Sequence, residues 1–186
     1  MKVLIACEYS GVVRDAFRAK GHDAWSCDIL PSNSRYHLQQ DVISLIYDNW
    51  DLMIAHPPCT HLASSGARWF KNKVAEQIAA LDFVSLLISA PIDKIAIENP
   101  IGIISSSIRK PDQIIQPYQF GHTVSKSTCL WLKNLPTLMS TNIVEPEWQY
   151  LSSGKRIDKW YSNNKKQRSV TFQGIANAMA DQWGSL

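Results

Sequence analysis

The stretch Asp51-Leu52-Met53-Ile54-Ala55-His56-Pro57-Pro58-Cys59-Thr60 reads as a short apolar strand ending in a stiff turn that carries a thiol. A second stretch repeats the pattern. Lys94-Ile95-Ala96-Ile97 is apolar enough for a strand and ends in Glu98-Asn99-Pro100. A cysteine and a glutamate thus stand at the ends of two strands, where open α/β sheets place their chemistry. A thiol nucleophile beside a carboxyl acid also suits addition to a pyrimidine ring.

Working outward, Val3 to Ala6 is another short buried strand. Ser10-Gly11 opens a helix with Val12, Val13, Ala16 and Phe17 on one face, and Gly21 ends it. Asp23 to Cys27 gives a second strand, closing on Asp28. Residues 31–40 are polar and loop-like, and Asp41 begins a short unit before the strand at Asp51. Residues 68–90 are expected as one long helix. Its apolar side is Val74, Ile78, Leu81, Phe83, Val84, Leu87 and Ile88, and Pro91 stops it. Strand alternating with helix predicts parallel βαβ units and a helix-covered sheet. Further on, Ile101 to Gln119 reads as a long loop and Ser127 to Leu132 as a strand. Gln173 to Trp183 reads as a helix with Ile175, Ala176, Met179 and Trp183 inward.

A length of 186 residues suggests one domain spanning 1–186, and 45% hydrophobic residues argue against a disordered chain. The net charge of +3 permits nucleic-acid binding without requiring it. Apolar runs are too short for a membrane span. Met1 to Ala6 resembles a signal start, but Glu8, Tyr9 and Ser10 end it at once, so a first strand is the better reading. Cys7, Cys27, Cys59 and Cys129 form no CxxC pair, which fits reduced thiols in a cytoplasmic protein. His56, Cys59 and His61 cluster in sequence without a partner pair, so no metal is expected.

Each candidate site has a plain alternative. The turn Ala6-Cys7-Glu8-Tyr9-Ser10-Gly11 lacks both the dinucleotide and the triphosphate fingerprints. Asp28, at a strand end, is where an acid commonly binds a ribose hydroxyl, and Asp41 could meet an adenine amino group. Alone each is a cap or surface charge; together they suggest an adenosine-type ligand. Cys59 is either a small residue in a rigid turn or a thiol held at one angle, with a following helix to lower its pKa. Glu98 is either an ion pair or cap, or a carboxyl with a raised pKa that protonates a ring nitrogen. Residues 146–168 hold Lys155, Arg156, Lys159, Lys165, Lys166 and Arg168 among Trp148, Tyr150, Trp160 and Tyr161. That mixture suits a solvated surface or a nucleic-acid surface.

These residues resemble the C5-cytosine DNA methyltransferases, in a compact form such as phages and prophages carry. Glu8-Tyr9-Ser10-Gly11-Val12, followed by Phe17 and Gly21, is similar to that family's first cofactor loop. Asp28 falls at its ribose-binding acid and Asp41 at its adenine-contacting acid. Pro57-Pro58-Cys59 resembles the nucleophile motif, and Glu98-Asn99-Pro100 the Glu-Asn-Val motif. Residues 174–179 resemble the C-terminal motif that returns to the cofactor pocket. The order matches along the chain, and Cys59 and Glu98 lie 39 positions apart.

The resemblance implies a Rossmann-like sheet with helices on both faces, S-adenosylmethionine as cofactor and cytosine-containing DNA as partner. It implies catalysis by Cys59 and Glu98. Cofactor contacts would come from Glu8, Tyr9, Ser10, Gly11, Val12, Asp28, Ile29, Asp41, Pro57 and Asn177. Substrate contacts would come from Pro58, Asn99, His122, Lys126, Lys155, Arg156, Trp160, Lys165 and Arg168. The family's Gln-x-Arg-x-Arg signature has no arginine here, and Lys126 or His122 would stand in for it. A target-recognition domain is reduced or absent, with 140–168 as its remnant or a protein partner supplying specificity. Two alternatives stay open: the same fold acting on a free nucleotide or modified pyrimidine, and a non-catalytic nucleotide- or DNA-binding module.

Overall fold

β1 (Lys2–Ala6) is the middle of the molecule, and Val3 to Ala6 are wholly buried. A continuous apolar strand demands cover on both faces, and the computed structural model supplies it. The structure describes residues 1–154, 156–158 and 169–186. Seven strands form one sheet in the order β3-β2-β1-β4-β5-β7-β6. They are β2 (Asp23–Asp28), β3 (His37–Gln39), β4 (Leu52–Ala55), β5 (Lys94–Pro100), β6 (Gln113–Ile115) and β7 (Thr128–Lys133). β1 to β5 pair in parallel, as the alternating pattern predicts. β7 departs from it, running antiparallel to both β5 and β6.

Side-chain alternation divides the core. Val3, Ile5, Leu52, Ile54, Ala96 and Leu130 face one layer, built by α1 (Val12–Ala19) and a C-terminal helix, Gln173–Trp183. Leu4, Ala6, Met53, Ala55, Ile95, Ile97 and Trp131 face the other, covered by α2 (Val74–Ile88) and α3 (Ile104–Ser107). The C-terminal helix is α4. Each fully buried aliphatic side chain contributes about 2 kcal/mol. Helices therefore cover both faces of an α/β sheet. No helix among the described residues is long and apolar enough to cross a membrane.

Three expectations need correction. The helix over 68–90 is a 3-10 segment, Ser64–Asn72, followed by α2. Val74 and Ile78 are 56% and 55% exposed, so the first turns of α2 lean away from the sheet; Val84 and Leu87 carry its burial. The loop expected over 101–119 contains α3, β6 and a 3-10 turn at Pro117–Gln119, which Gln116 and Gln119 close as a capping box. β6 is short because it ends the sheet. Beyond it, Gln113 bonds both the N–H and the carbonyl of Leu138, at 2.7 and 2.8 Å. In the basic-aromatic segment, β8 (Trp148–Tyr150) and β9 (Arg156–Asp158) form a hairpin, with the Arg156 guanidinium 4.1 Å from the Trp148 ring centre. Lys155, Lys159, Trp160, Tyr161, Lys165, Lys166 and Arg168 lie outside the described residues.

Candidate active site

The loop after β4 carries Cys59 and is fastened to the strand beside it. His56 N–H donates to the Ala6 carbonyl at 2.9 Å, extending the β1–β4 pairing by one residue. Buried Pro57 accepts a 2.8 Å bond from Asn99 Nδ2. Pro58 is exposed and Cys59 half-buried. The Cys59 carbonyl accepts the N–H groups of Leu62 and Ala63 at 3.0 and 2.9 Å, so the chain turns sharply after the thiol. A regular helix does not follow Cys59 directly. The chain next pairs with the segment after β5: Ser64 N–H bonds the Ile101 carbonyl and Ile103 N–H the Leu62 carbonyl, both at 2.9 Å. Ala63 and Gly102 form the bridge. A Cβ on Gly102 would stand 2.0 Å from the Leu62 oxygen, so only glycine lets the two loops meet.

Glu98 faces His56 across this junction. The β4–β5 register pairs Ala55 with Ile97, which brings the next two residues together. His56 Nδ1 is 3.0 Å from Glu98 Oε2, and the two side chains are 8% and 20% exposed. Burial works against charge on the imidazole. The bond to Glu98 and its charge, with that of Glu8, outweigh it and raise the His56 pKa. Burial likewise favours a neutral Glu98 carboxyl, yet the His56 bond and charge, aided by Lys126 and Thr128, hold its pKa below the ordinary value. Of the two readings open for Glu98, the ion pair is the one found, and the raised pKa of the other is not. A small cleft of about 20 Å³ opens beside Glu98, with Lys126, Thr128 and Phe172 among its walls.

The pair predicts a pH window. His56 titrates above its ordinary 6.5, so its contribution to stability is complete below 6.5 and fades as pH rises through the folded value. Glu98 titrates below 4.5, so its contribution is complete above 4.5 and fades as pH falls through the folded value. Urea denaturation should show Glu98→Gln least stable relative to the parent between these limits, with the gap narrowing at alkaline pH. A gap that widens there would contradict the pairing.

The first βα turn does more structural work than expected. The buried Glu8 carboxylate accepts Val13 N–H at 2.8 Å and Arg14 N–H at 3.3 Å, and the Ser10 hydroxyl at 3.2 Å. It therefore caps α1. Gly11 holds φ +78, and a Cβ there would meet the Arg14 guanidinium at 2.1 Å. Val12 N–H is 3.4 Å from the Ser10 hydroxyl, and Tyr9 is half-buried.

Asp28 and Asp41 converge on the carboxyl ends of β1 and β2. Burial first, then both carboxylates and Cys27, push the Cys7 thiol up to about 12. Burial and the same two acids push Cys27 to about 11. Asp28 also accepts Leu30 N–H at 2.9 Å, and Asp41 accepts Ile43 N–H at 3.0 Å. Next to Asp28, Ile29 is 75% exposed.

Other expected residues take different places. His122 Nε2 accepts Gly174 N–H at 2.9 Å, its ring 5.1 Å from that of Phe172, and burial lowers its pKa. It pins the start of α4. Asn177 is exposed and accepts from Gln173. Lys126 does reach the Glu98 region. Among the described residues no cluster of three His, Cys, Asp or Glu side chains could hold a metal. Sequence reasoning missed the His56–Glu98 pair and the wall at Thr128 and Phe172. The signal for the pair was present: two adjacent strands ending in His56 and Glu98.

No protein-family model matches the chain, and no curated protein does. Solved structures do resemble it. One is a proposed DNA modification methyltransferase encoded within an E. coli prophage, 17% identical, with a TM-score of 0.50. The likeness covers 77% of this chain and 51% of that one, so the chain spans about half the length of the protein it matches. The seven-stranded α/β sheet is therefore similar to a methyltransferase fold.

Proposed function

We propose that this chain transfers a methyl group from S-adenosylmethionine to C5 of cytosine in DNA, with Cys59 as nucleophile. One observation carries the reading. Cys59 follows the carboxyl end of β4, Glu98 lies in the last residues of the neighbouring parallel β5, and two side-chain bonds, His56–Glu98 and Asn99–Pro57, tie their segments together. The methyltransferase likeness of the sheet supports it.

The chain's residues suit the cofactor. Asp28 and Asp41 gather carboxylates where a ribose and an adenine amino group would need acceptors, and exposed Ile29 offers an apolar face to a ring. The bound cofactor would supply an electrophilic methyl group. The Cys59 sulfur bonds C6, and the C5=C6 electron pair makes C5 nucleophilic. Glu98 hydrogen-bonds N3 and the exocyclic amine of the ring. C5 takes the methyl group, loses its proton, and expels the thiolate as the double bond re-forms. The base must leave the duplex stack to be reached. The β8–β9 hairpin, with Arg156 over Trp148, supports a role for residues 140–168 as a reduced recognition element.

The test is tritium transfer from labelled S-adenosylmethionine to duplex DNA, RNA and dCMP, beside calorimetry with the cofactor. Label at C5 of cytosine in duplex DNA is the expected result. Label only in dCMP selects a free nucleotide instead. Absence of cofactor binding overturns methyl transfer altogether.

A further inference from the structure

His56 is used by none of the steps above, yet it is 8% exposed and hydrogen-bonded to the carboxyl those steps depend on. Its other ring nitrogen, Nε2, is buried with no hydrogen-bond partner among the described residues. A proton on this ring therefore has one hydrogen-bonded way out, through Nδ1 to Glu98 Oε2 at 3.0 Å. The charges facing the pair are set by three further elements. Glu8 comes from the turn after β1, Lys126 from the segment before β7, and the Cys129 thiol of β7 is near enough for Glu98 to raise its pKa. Glu8 favours a protonated imidazole and Lys126 an ionised Glu98.

An ionised Glu98 cannot by itself protonate a ring nitrogen. We propose that His56 is the positioning residue that holds this proton in reserve, and that Glu98 carries it from Nδ1 to N3 of the pyrimidine. The inference rests on the proposed cytosine chemistry. Before reaction His56 is the cation and Glu98 the anion. As the Cys59 sulfur bonds C6, negative charge builds at N3. The proton leaves Nδ1 for Oε2, the carboxyl turns about its Cγ–Cδ bond, and N3 takes the proton. His56 is then neutral and Glu98 again ionised. When the thiolate leaves C6, the N3 proton returns by the same path, so the pair ends as it began. The proton lost from C5 goes separately to solvent.

This assigns the pair a joint role. Glu98 touches the base and His56 stores charge behind it, so that one excess proton is kept at a site from which solvent is largely excluded. A purely structural ion pair would stabilise the fold without shaping the rate profile.

Two measurements decide it. Nitrogen-15 NMR of the histidine rings in the intact protein should show His56 titrating above 6.5, and below it in Glu98→Gln. A wild-type midpoint at or below 6.5 overturns the proposal without any assay of activity. Methyl transfer to cytosine in duplex DNA should fall as pH rises through the same midpoint. His56→Gln, which keeps a donor near Glu98 but cannot titrate, should lose about 100-fold in rate and lose that alkaline limb. A His56→Gln enzyme that keeps both the rate and the limb overturns the proposal. If the wild type labels no cytosine, the substrate assignment falls, while the NMR midpoint still judges whether the pair holds the proton.

Discussion

Replacing Cys59 by serine should reduce methyl transfer on the order of 10⁴-fold or more, the scale on which loss of a nucleophile acts. A serine hydroxyl does not ionise near neutral pH and has no base poised to activate it in the proposed scheme. The fold should survive, because the Cys59 carbonyl closes the turn through Leu62 and Ala63. Serine retains that carbonyl and nearly the same volume. Cofactor affinity should be unchanged, since Asp28 ends β2 and Asp41 follows β3, on the side of β1 away from β4 and its Cys59 loop. The measurement is label transfer with calorimetry, together with trapping on DNA containing 5-fluorocytosine. The parent should form a covalent complex that survives denaturation, and Cys59→Ser should form none. Full activity in Cys59→Ser would remove the covalent mechanism.

Gly102→Ala should be among the most damaging small changes away from the reacting groups. The added carbon would stand 2.0 Å from the Leu62 oxygen and 2.8 Å from its carbonyl carbon. Both are backbone atoms, so no side chain can swing aside. The Ile103–Leu62 bond and the Ala63–Gly102 bridge must open instead. The expected cost is about 3 kcal/mol, near the upper end for overpacking. The functional loss should be larger than that suggests. Leu62 is bonded directly to the Cys59 carbonyl, so the shift reaches the thiol, and a misplacement of about 1 Å can cost 100-fold in rate. Denaturant unfolding and transfer rates measured on one preparation separate the two effects. A variant as stable and active as the parent would mean that the loops meet differently from the way described.

The sequence made the left half of the sheet readable. β1, β2, β4 and β5 are short apolar runs bounded by turns, and buried parallel strands have few other ways to look. It could not show that β7 reverses direction. Thr128 to Lys133 has the composition of a strand either way, and its register against β5 is fixed by contacts about thirty residues away. The segment 101–119 misled for a similar reason. Gln113-Ile114-Ile115 is too short and too polar at its start to announce a strand, and its pairing with β7 is what makes it one. In α2, apolar content alone was deceptive: Val74 and Ile78 fit the pattern but point away from the core.

The site divides along the same line. Cys59 was legible because the proline-rich turn marks the end of β4, and Glu98 because a carboxyl is out of place in an apolar strand, although that strand runs on through Asn99 and Pro100. The pKa of Glu98 was not, because a carboxyl's titration depends on neighbours that only register reveals. One residue past the Ala55–Ile97 pair lies His56 beside Glu98, and this decides between the ion-pair and raised-pKa readings in favour of the pair. Glu8 shows the opposite case. Its place in a cofactor-like turn suggested ligand contact, while its oxygens are engaged in capping α1.

The packing of α4 against α1 has a temporal consequence. α1 and α4 share one core layer, and Phe172, just before α4, helps wall the cleft at Glu98. During synthesis from the amino end, Cys59 and Glu98 both emerge long before residue 172 exists. Contacts between segments so distant in sequence form late in folding. Until then a nascent chain carries Cys59 and Glu98 without the Phe172 wall of the cleft, which is completed only when α4 docks on α1.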